Sequence, residues 1–211
     1  LYKKLINEFP YNAEYFLYLG SLYGLEARIE LARSNWLKAF FSTRKGNNYI
    51  IKAHELNPEL IDAYLPLGLI SYYACISNPF IQFLAKISGI KFECDKSIEY
   101  LEIASQKSSF SYIESSNLLS YIYLYMDKNY DKALTKISPL VDRFPNHPFF
   151  PFIEAECLIK LGRHDDFNKK VENLNRFLKV ESKIVADECQ AKLNYLFGLK
   201  LYYDNKYDES I

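Results

Sequence analysis

The sequence predicts an all-α fold, and three features predict it. Glycine and proline are scarce, at 7 and 8 of 211 residues, so loops are short and helices many. Amphipathic stretches end repeatedly on a proline: "LYKKLINEFP" on Pro10, "YIIKAHELNP" on Pro58 and "PLVDRFP" on Pro145. Proline has no amide to donate and crowds the preceding turn, so each marks a helix tail. Finally, "YFLYLGSLY", "AYLPLGLISYY" and "NYLFGLKLYY" share an apolar-Gly pair followed about one turn later by an aromatic. A glycine there lets two helices approach closely while the large residues beside it fill the gap.

These marks recur. "DNKYDESI" (residues 204–211) repeats "DKNYDKAL" (residues 127–134), and "LGRHDDF" supplies a turn glycine before another helix start. In "NYDKALTKISPLVDRFPN" the small Ala133 fits a helix crossing, Tyr130 wedges the turn before it, and Pro145 closes the helix. The chain resembles the tetratricopeptide repeat (TPR) family: two antiparallel helices in 34 residues, an apolar-Gly pair and an aromatic on the first helix, a small residue and a closing proline on the second. The step from Pro145 to Lys179 is 34 and that from Ser109 to Pro145 is 36. Trp36, the one tryptophan, does not fall at the motif's usual Trp position. The resemblance implies one domain over residues 1–211, a right-handed superhelix of helical hairpins with units at about 11–58, 59–109, 110–145, 146–179 and a partial 180–211.

Two units are too long for that repeat. Pro10 to Pro58 spans 48 residues, 14 more than 34. Fourteen residues make about four helical turns, so two extra turns per helix lengthen the hairpin by ~10 Å without rotating its faces. Phe16, Leu19, Tyr23, Ala27, Leu31, Trp36 and Phe40 continue one apolar pattern from Ala13 to about Phe41, which makes "STRKGNN" (residues 42–48) the loop. Pro58 to Ser109 spans 51 residues, 17 more than 34, and the surplus sits at residues 76–97. Asn78-Pro79 reads as a helix start, Phe80, Phe83, Leu84 and Ile87 as one apolar face, and Gly89 as the stop. This inserted helix either covers a gap in the solenoid or presents a partner-binding or membrane-touching face. It has little basic character for an interfacial helix, with only Lys86 and Lys91 up to Phe92. The Asn-Pro-Phe insert and the later "RFPNHPFF" are also similar to a TPR group with bacterial members, related to eukaryotic proteins of the mitochondrial outer membrane and inclusion-body clearance. That likeness implies no catalytic activity.

In a TPR superhelix the first helices line the concave face. By position, the resemblance makes the wall from Leu65, Leu69, Tyr72 and Tyr73; then Leu118, Ile122, Tyr125 and Met126; then Phe149, Phe152, Glu156 and Ile159; then Tyr195, Leu199, Tyr202 and Tyr203. Tyrosine combines contact area with a polar tip and suits an interface. The wall lacks the Lys and Asn cluster that clamps a C-terminal carboxylate in some TPR modules. The expected function is therefore a scaffold or adaptor that binds an apolar peptide or helix. The alternatives are a groove filled by the insert or by the solenoid's own curl, self-association through open terminal repeats, and a membrane-associated factor acting through residues 79–90.

Composition narrows the rest. Lys+Arg and Asp+Glu stand at 26 each, and without a basic excess no nucleic-acid partner is expected. The 19 Tyr and 15 Phe fit either an aromatic-rich core from an AT-rich genome or an aromatic binding surface. Cys75, Cys94, Cys157 and Cys189 show no CxxC spacing, so buried free thiols are expected, with a Cys75–Cys94 disulfide open for an exported chain. No metal, cofactor or catalytic residue is expected. His54, His147 and His164 are scattered, Glu154 and Glu156 point apart at a spacing of two, and Glu26 and Glu30 read as a solvated stripe. The chain begins at Leu1 without a Met and reads as a piece of a longer protein. A cytoplasmic location is the first expectation, with periplasmic or membrane-associated ones open.

Overall fold

The computed structural model describes residues 1–180 and 182–204, and within them the fold is all-helical, with eleven α-helices and no strand. Two compact units divide the chain, Leu1–Ser115 and Ser116–Ile211. The "DNKYDESI" repeat lies, from Asn205 onward, outside the described residues.

The first unit opens with α1 (Tyr2–Glu8), α2 (Ala13–Ala32) and α3 (Trp36–Leu56). Helices α2 and α3 form a long hairpin of 20 and 21 residues. The Ser42 hydroxyl donates to Glu26 at 2.9 Å and the Lys38 ammonium to Glu30 at 2.8 Å. Four residues forward along α3 thus match four back along α2, so the pair is antiparallel.

The turn is not where the hydropathy pattern puts it. It lies at residues 33–35, where Ser34 takes φ 61 and Asn35 donates its side-chain amide to Glu30 at 2.8 Å. "STRKGNN" is the interior of α3. Its small residues are there because the helices nearly touch: a Cβ on Gly46 would lie 2.9 Å from the Gly20 carbonyl oxygen. Trp36 is exposed at the head of α3 rather than on the buried face. Glu30 is no part of a solvated stripe either. It is 3% exposed, and the Lys38 ammonium, then the Asn35 amide, hold its carboxyl below the ordinary range.

After a 3-10 turn (Ile61–Ala63) come α4 (Tyr64–Ile76), α5 (Pro79–Ile87), α6 (Ser97–Lys107) and the start of α7 (Tyr112–Tyr121). Helix α4 packs on α6, and Gly68 permits it, since a Cβ there would lie 2.9 Å from the Ser97 carbonyl oxygen. Phe16, Leu17, Ile50, Ala53 and Ala63 are buried together as a core. Asp62 caps the start of α7, accepting from the Ser111 amide at 2.8 Å, the Phe110 amide at 3.1 Å and the Ser108 and Ser111 hydroxyls. Burial alone would raise this carboxyl, but those bonds outweigh it and hold it low.

The insert begins and ends as its residues predict. Asn78 accepts from the Ile81 amide at 3.0 Å, Pro79 opens α5, and Gly89 follows its end at φ 75. The returning segment is fastened down. Asn47 donates to the Lys91 carbonyl at 2.9 Å, the Glu93 amide donates to Ser71 at 3.0 Å, and Cys94 is disulfide-bonded to Cys75. The expectation of four free thiols is therefore corrected. Cys157 and Cys189 are free and buried, whereas α4 and the return segment bring Cys75 and Cys94 to a Cα separation of 5.6 Å, within bonding reach.

The second unit continues from α7 through a π-helical turn (Ile122–Met126) to α8 (Tyr130–Arg143), α9 (Phe150–Lys160), α10 (His164–Leu174), a 3-10 turn (Asn175–Lys179) and α11 (Lys183–Tyr203). Helix α9 is its axis: α8, α10 and α11 all pack on it, and every residue from Phe150 to Ile159 is buried. Ala133 on α8 is fully buried, as a crossing position requires. The stops at Pro10, Pro58, Ser109 and Pro145 each fall two residues past a helix end, at Glu8, Leu56, Lys107 and Arg143. Among the described residues no helix is long and apolar enough to cross a membrane.

Candidate functional site

Two carboxylates sit inside the second unit, both on α9. Glu154 and Glu156 are 3% and 4% exposed, and a buried charge survives only when paired and hydrogen-bonded. As their spacing predicts, they face different ways. Glu154 takes the Ser138 hydroxyl at 2.8 Å and the Lys170 ammonium. Glu156 takes the Tyr125 hydroxyl at 2.6 Å on one oxygen. On the other it takes the Tyr195 hydroxyl at 3.0 Å and the Lys160 ammonium at 2.8 Å.

The Glu156 side matters because its partners are only half buried. Tyr125 and Tyr195 point their hydroxyls inward to the carboxylate and keep much of their rings outside, at 43% and 49% exposure. Tyr121, one turn before Tyr125, stacks on it with ring centroids 5.7 Å apart. Lys160 lies 5.1 Å from the Tyr125 ring centroid. These rings, with Phe149, Lys192 and a floor of Phe152, Ile153 and Leu196, line a cavity of about 100 Å³. Burial first, and then the bond to Glu156, push the Tyr125 phenol well above the usual range. For Tyr195, burial and then the Glu156 charge do the same. Both hydroxyls remain protonated donors at neutral pH, so the rings are pinned.

A larger cavity, of about 220 Å³, opens on the Glu154 side. Its charged lining is already paired: Lys170 with Glu154, and Arg163 and Lys169 with Asp166. Cys157, next to Glu156 on α9, is no nucleophile, because burial, then the Glu156 charge, push its thiol up to about 12. Among the described residues no three His, Cys, Asp or Glu side chains are grouped to hold a metal ion.

Of the residues the sequence assigns to a binding wall, the structure brings Tyr125, Phe152 and Glu156 to this cavity, with Phe149 and Tyr195 beside them. Ile122 is buried in the π-helical turn, and Phe152 and Ile159 are buried because α9 is packed on several sides. Leu118, Leu199 and Tyr202 do not line the cavity; the two leucines are half-buried and Tyr202 is exposed. In the first unit Tyr72 is buried, Leu65 and Leu69 are half-buried, and Tyr73 is exposed. On the insert, Phe80, Phe83 and Ile87 are exposed and Leu84 is half-buried. Sequence reasoning missed Tyr121, Lys160 and Lys192. The first two carry a signal, a spacing of four from Tyr125 and from Glu156, while nothing along the chain marks Lys192. No family model, no curated protein and no solved structure matches this chain.

Proposed function

We propose that the chain is a TPR-like scaffold whose second unit anchors one apolar side chain of a partner peptide or helix between Tyr121, Tyr125 and Tyr195. One observation carries this reading: a single buried carboxylate clamps two half-exposed tyrosines around a cavity of about 100 Å³. Sites for small organic ligands run to roughly 300–1,000 Å³, so this one suits a side chain rather than a cofactor. Rings fixed in advance lose little entropy on binding, and tyrosine is enriched where interfaces concentrate their energy. The repeat reading has support of its own. The 34-residue step from Pro145 to Lys179 encloses α9 and α10, and the 36-residue step from Ser109 to Pro145 encloses α7 and α8. Close-approach glycines at Gly20 and Gly68 serve the purpose the motif gives them.

The test is selection of displayed random peptides on the protein, followed by titration of the winners. The selected peptides should share one apolar residue and lose about tenfold or more in affinity for Tyr125→Ala/Tyr195→Ala. Far-UV circular dichroism checks that the variant is folded. Peptides that bind the variant as well as the wild type, or no enrichment at all, would sink the reading.

A further inference from the structure

Helix α5 inverts the usual distribution of side chains. Ala85 is its only buried residue. Phe80, Ile81, Phe83 and Ile87 are exposed, and Tyr73 and Ile76 at the end of α4 are exposed too. Phe80, Phe83 and Ile87 are three and four residues apart, so they share one face. A lone exposed phenylalanine needs no account, but a contiguous cluster of this kind marks a contact surface. Nor is the helix a loose flap. Asn78 caps it, and the segment after it is held by Asn47, by Ser71 and by the Cys75–Cys94 bond. The apolar face is braced outward.

The charges around it identify what would cover it. Residues 63–92 contain no Asp or Glu, and their only charged side chains are Lys86 and Lys91, both exposed. The next acid, Glu93, is spent on Lys96 at 2.6 Å and on the Tyr100 hydroxyl at 3.0 Å. An exposed apolar face with Lys86 on the same helix, Lys91 shortly after it and no acid from residue 63 to 92 matches the boundary between headgroups and acyl chains. Nine residues rise only about 13 Å, too short to cross a bilayer and suited to lying in its surface. We propose that α5 seats this protein on a lipid surface bearing anionic headgroups. Phe80, Phe83 and Ile87 enter the acyl boundary, and Lys86 and Lys91 meet the phosphates. One apolar helix alone binds weakly, and the lysines supply the second attraction that makes binding measurable.

Flotation with vesicles tests this. The wild-type chain should float with phosphatidylcholine vesicles that also hold phosphatidylglycerol, and much less with phosphatidylcholine alone. Phe80→Ser/Phe83→Ser should weaken the partition about tenfold or more. Lys86→Gln/Lys91→Gln should abolish the preference for the anionic vesicles and leave the residual binding to neutral ones. All four side chains lie outside the cores, and circular dichroism confirms that the variants fold. Tyr125→Ala/Tyr195→Ala should float like the wild type, which separates this site from the tyrosine cavity. The proposal is overturned if the wild type floats with neither vesicle, or if the phenylalanine variant floats equally well. It is also overturned if sedimentation shows a dimer that the phenylalanine variant dissociates, because a second copy would then be the occupant.

Discussion

Helices α5 and α9 are close in length, nine and eleven residues, and both are rich in apolar side chains. One hides a single residue and the other hides ten. The apolar helix left outside has no acid, whereas the helix buried from Phe150 to Ile159 carries two. Hydropathy therefore does not decide which helix is core. The number of neighbouring helices does: α9 has three packed on it, while α5 rests on α4 and is held by its flanks. Helix α9 can keep Glu154 and Glu156 because each neighbouring element brings a donor. Helix α5 presents phenylalanines because nothing in its unit covers them.

The contrast is most sharply tested at Glu156. Glu156→Ala leaves the half-buried Lys160 without its carboxylate and strands two phenols, so it should cost about 3 kcal/mol in urea unfolding. Adding Lys160→Met should restore the part of that loss due to the unpaired ammonium and leave the part due to the two phenols. A loss below about 1 kcal/mol would mean that α9 is not a buried axis. The same cluster fixes an alkaline response. Tyr125 and Tyr195 have folded pKa values raised above the free phenol. Their contribution is then complete below about pH 10 and is lost as pH rises through the folded values. Stability measured upward from about pH 9 should fall more steeply in the wild type than in Tyr125→Phe/Tyr195→Phe.

The brace on α5 comes next in size. Cys75 and Cys94 are 19 residues apart, and a loop of that length contributes about 3 kcal/mol when closed. Cys75→Ser/Cys94→Ser should lose roughly that much and speed amide exchange in the segment after α5, leaving α9 protected. Equal loss of protection in α9 would show that the two regions fold as one and that the comparison is false.

Much of this architecture was legible because it rests on residues with local rules. Pro10, Pro58 and Pro145 stop helices by lacking an amide, and Asn78-Pro79 and Gly89 bound α5 for equally local reasons. The failures come from long-range contact. "STRKGNN" reads as a loop because it is polar and contains glycine, yet Gly46 faces Gly20 and Ser42 reaches Glu26 across the hairpin. Glu30 is buried because Lys38 comes back to it around a turn that the apolar pattern runs straight through. The Cys75–Cys94 bond and the meeting of Tyr125, Tyr195 and Glu156 depend on chain return, which no spacing encodes. Two glycines test this lesson. Gly46→Ala should cost about 1–3 kcal/mol, because its Cβ would press on backbone. Gly24→Ala, with nothing within 4 Å of its Cβ in mid-helix, should gain up to about 1 kcal/mol. Equal effects would return residues 42–48 to a loop.

The smallest expected effect is the most informative about α5. Phe80→Ser/Phe83→Ser removes two large side chains from a nine-residue helix, a change that inside a core would cost several kcal/mol. Here both rings are already in water, and serine and phenylalanine have similar helix propensity. Unfolding free energy should therefore stay within about 0.5 kcal/mol of wild type. A loss of a few kcal/mol would mean that the rings pack on something in the folded chain, and the outward face of α5 would then belong to the fold. An unchanged stability would mean that the fold does not need these rings. Their place on a helix braced by a disulfide, two hydrogen bonds and a capped start would then have to be explained by what the face touches.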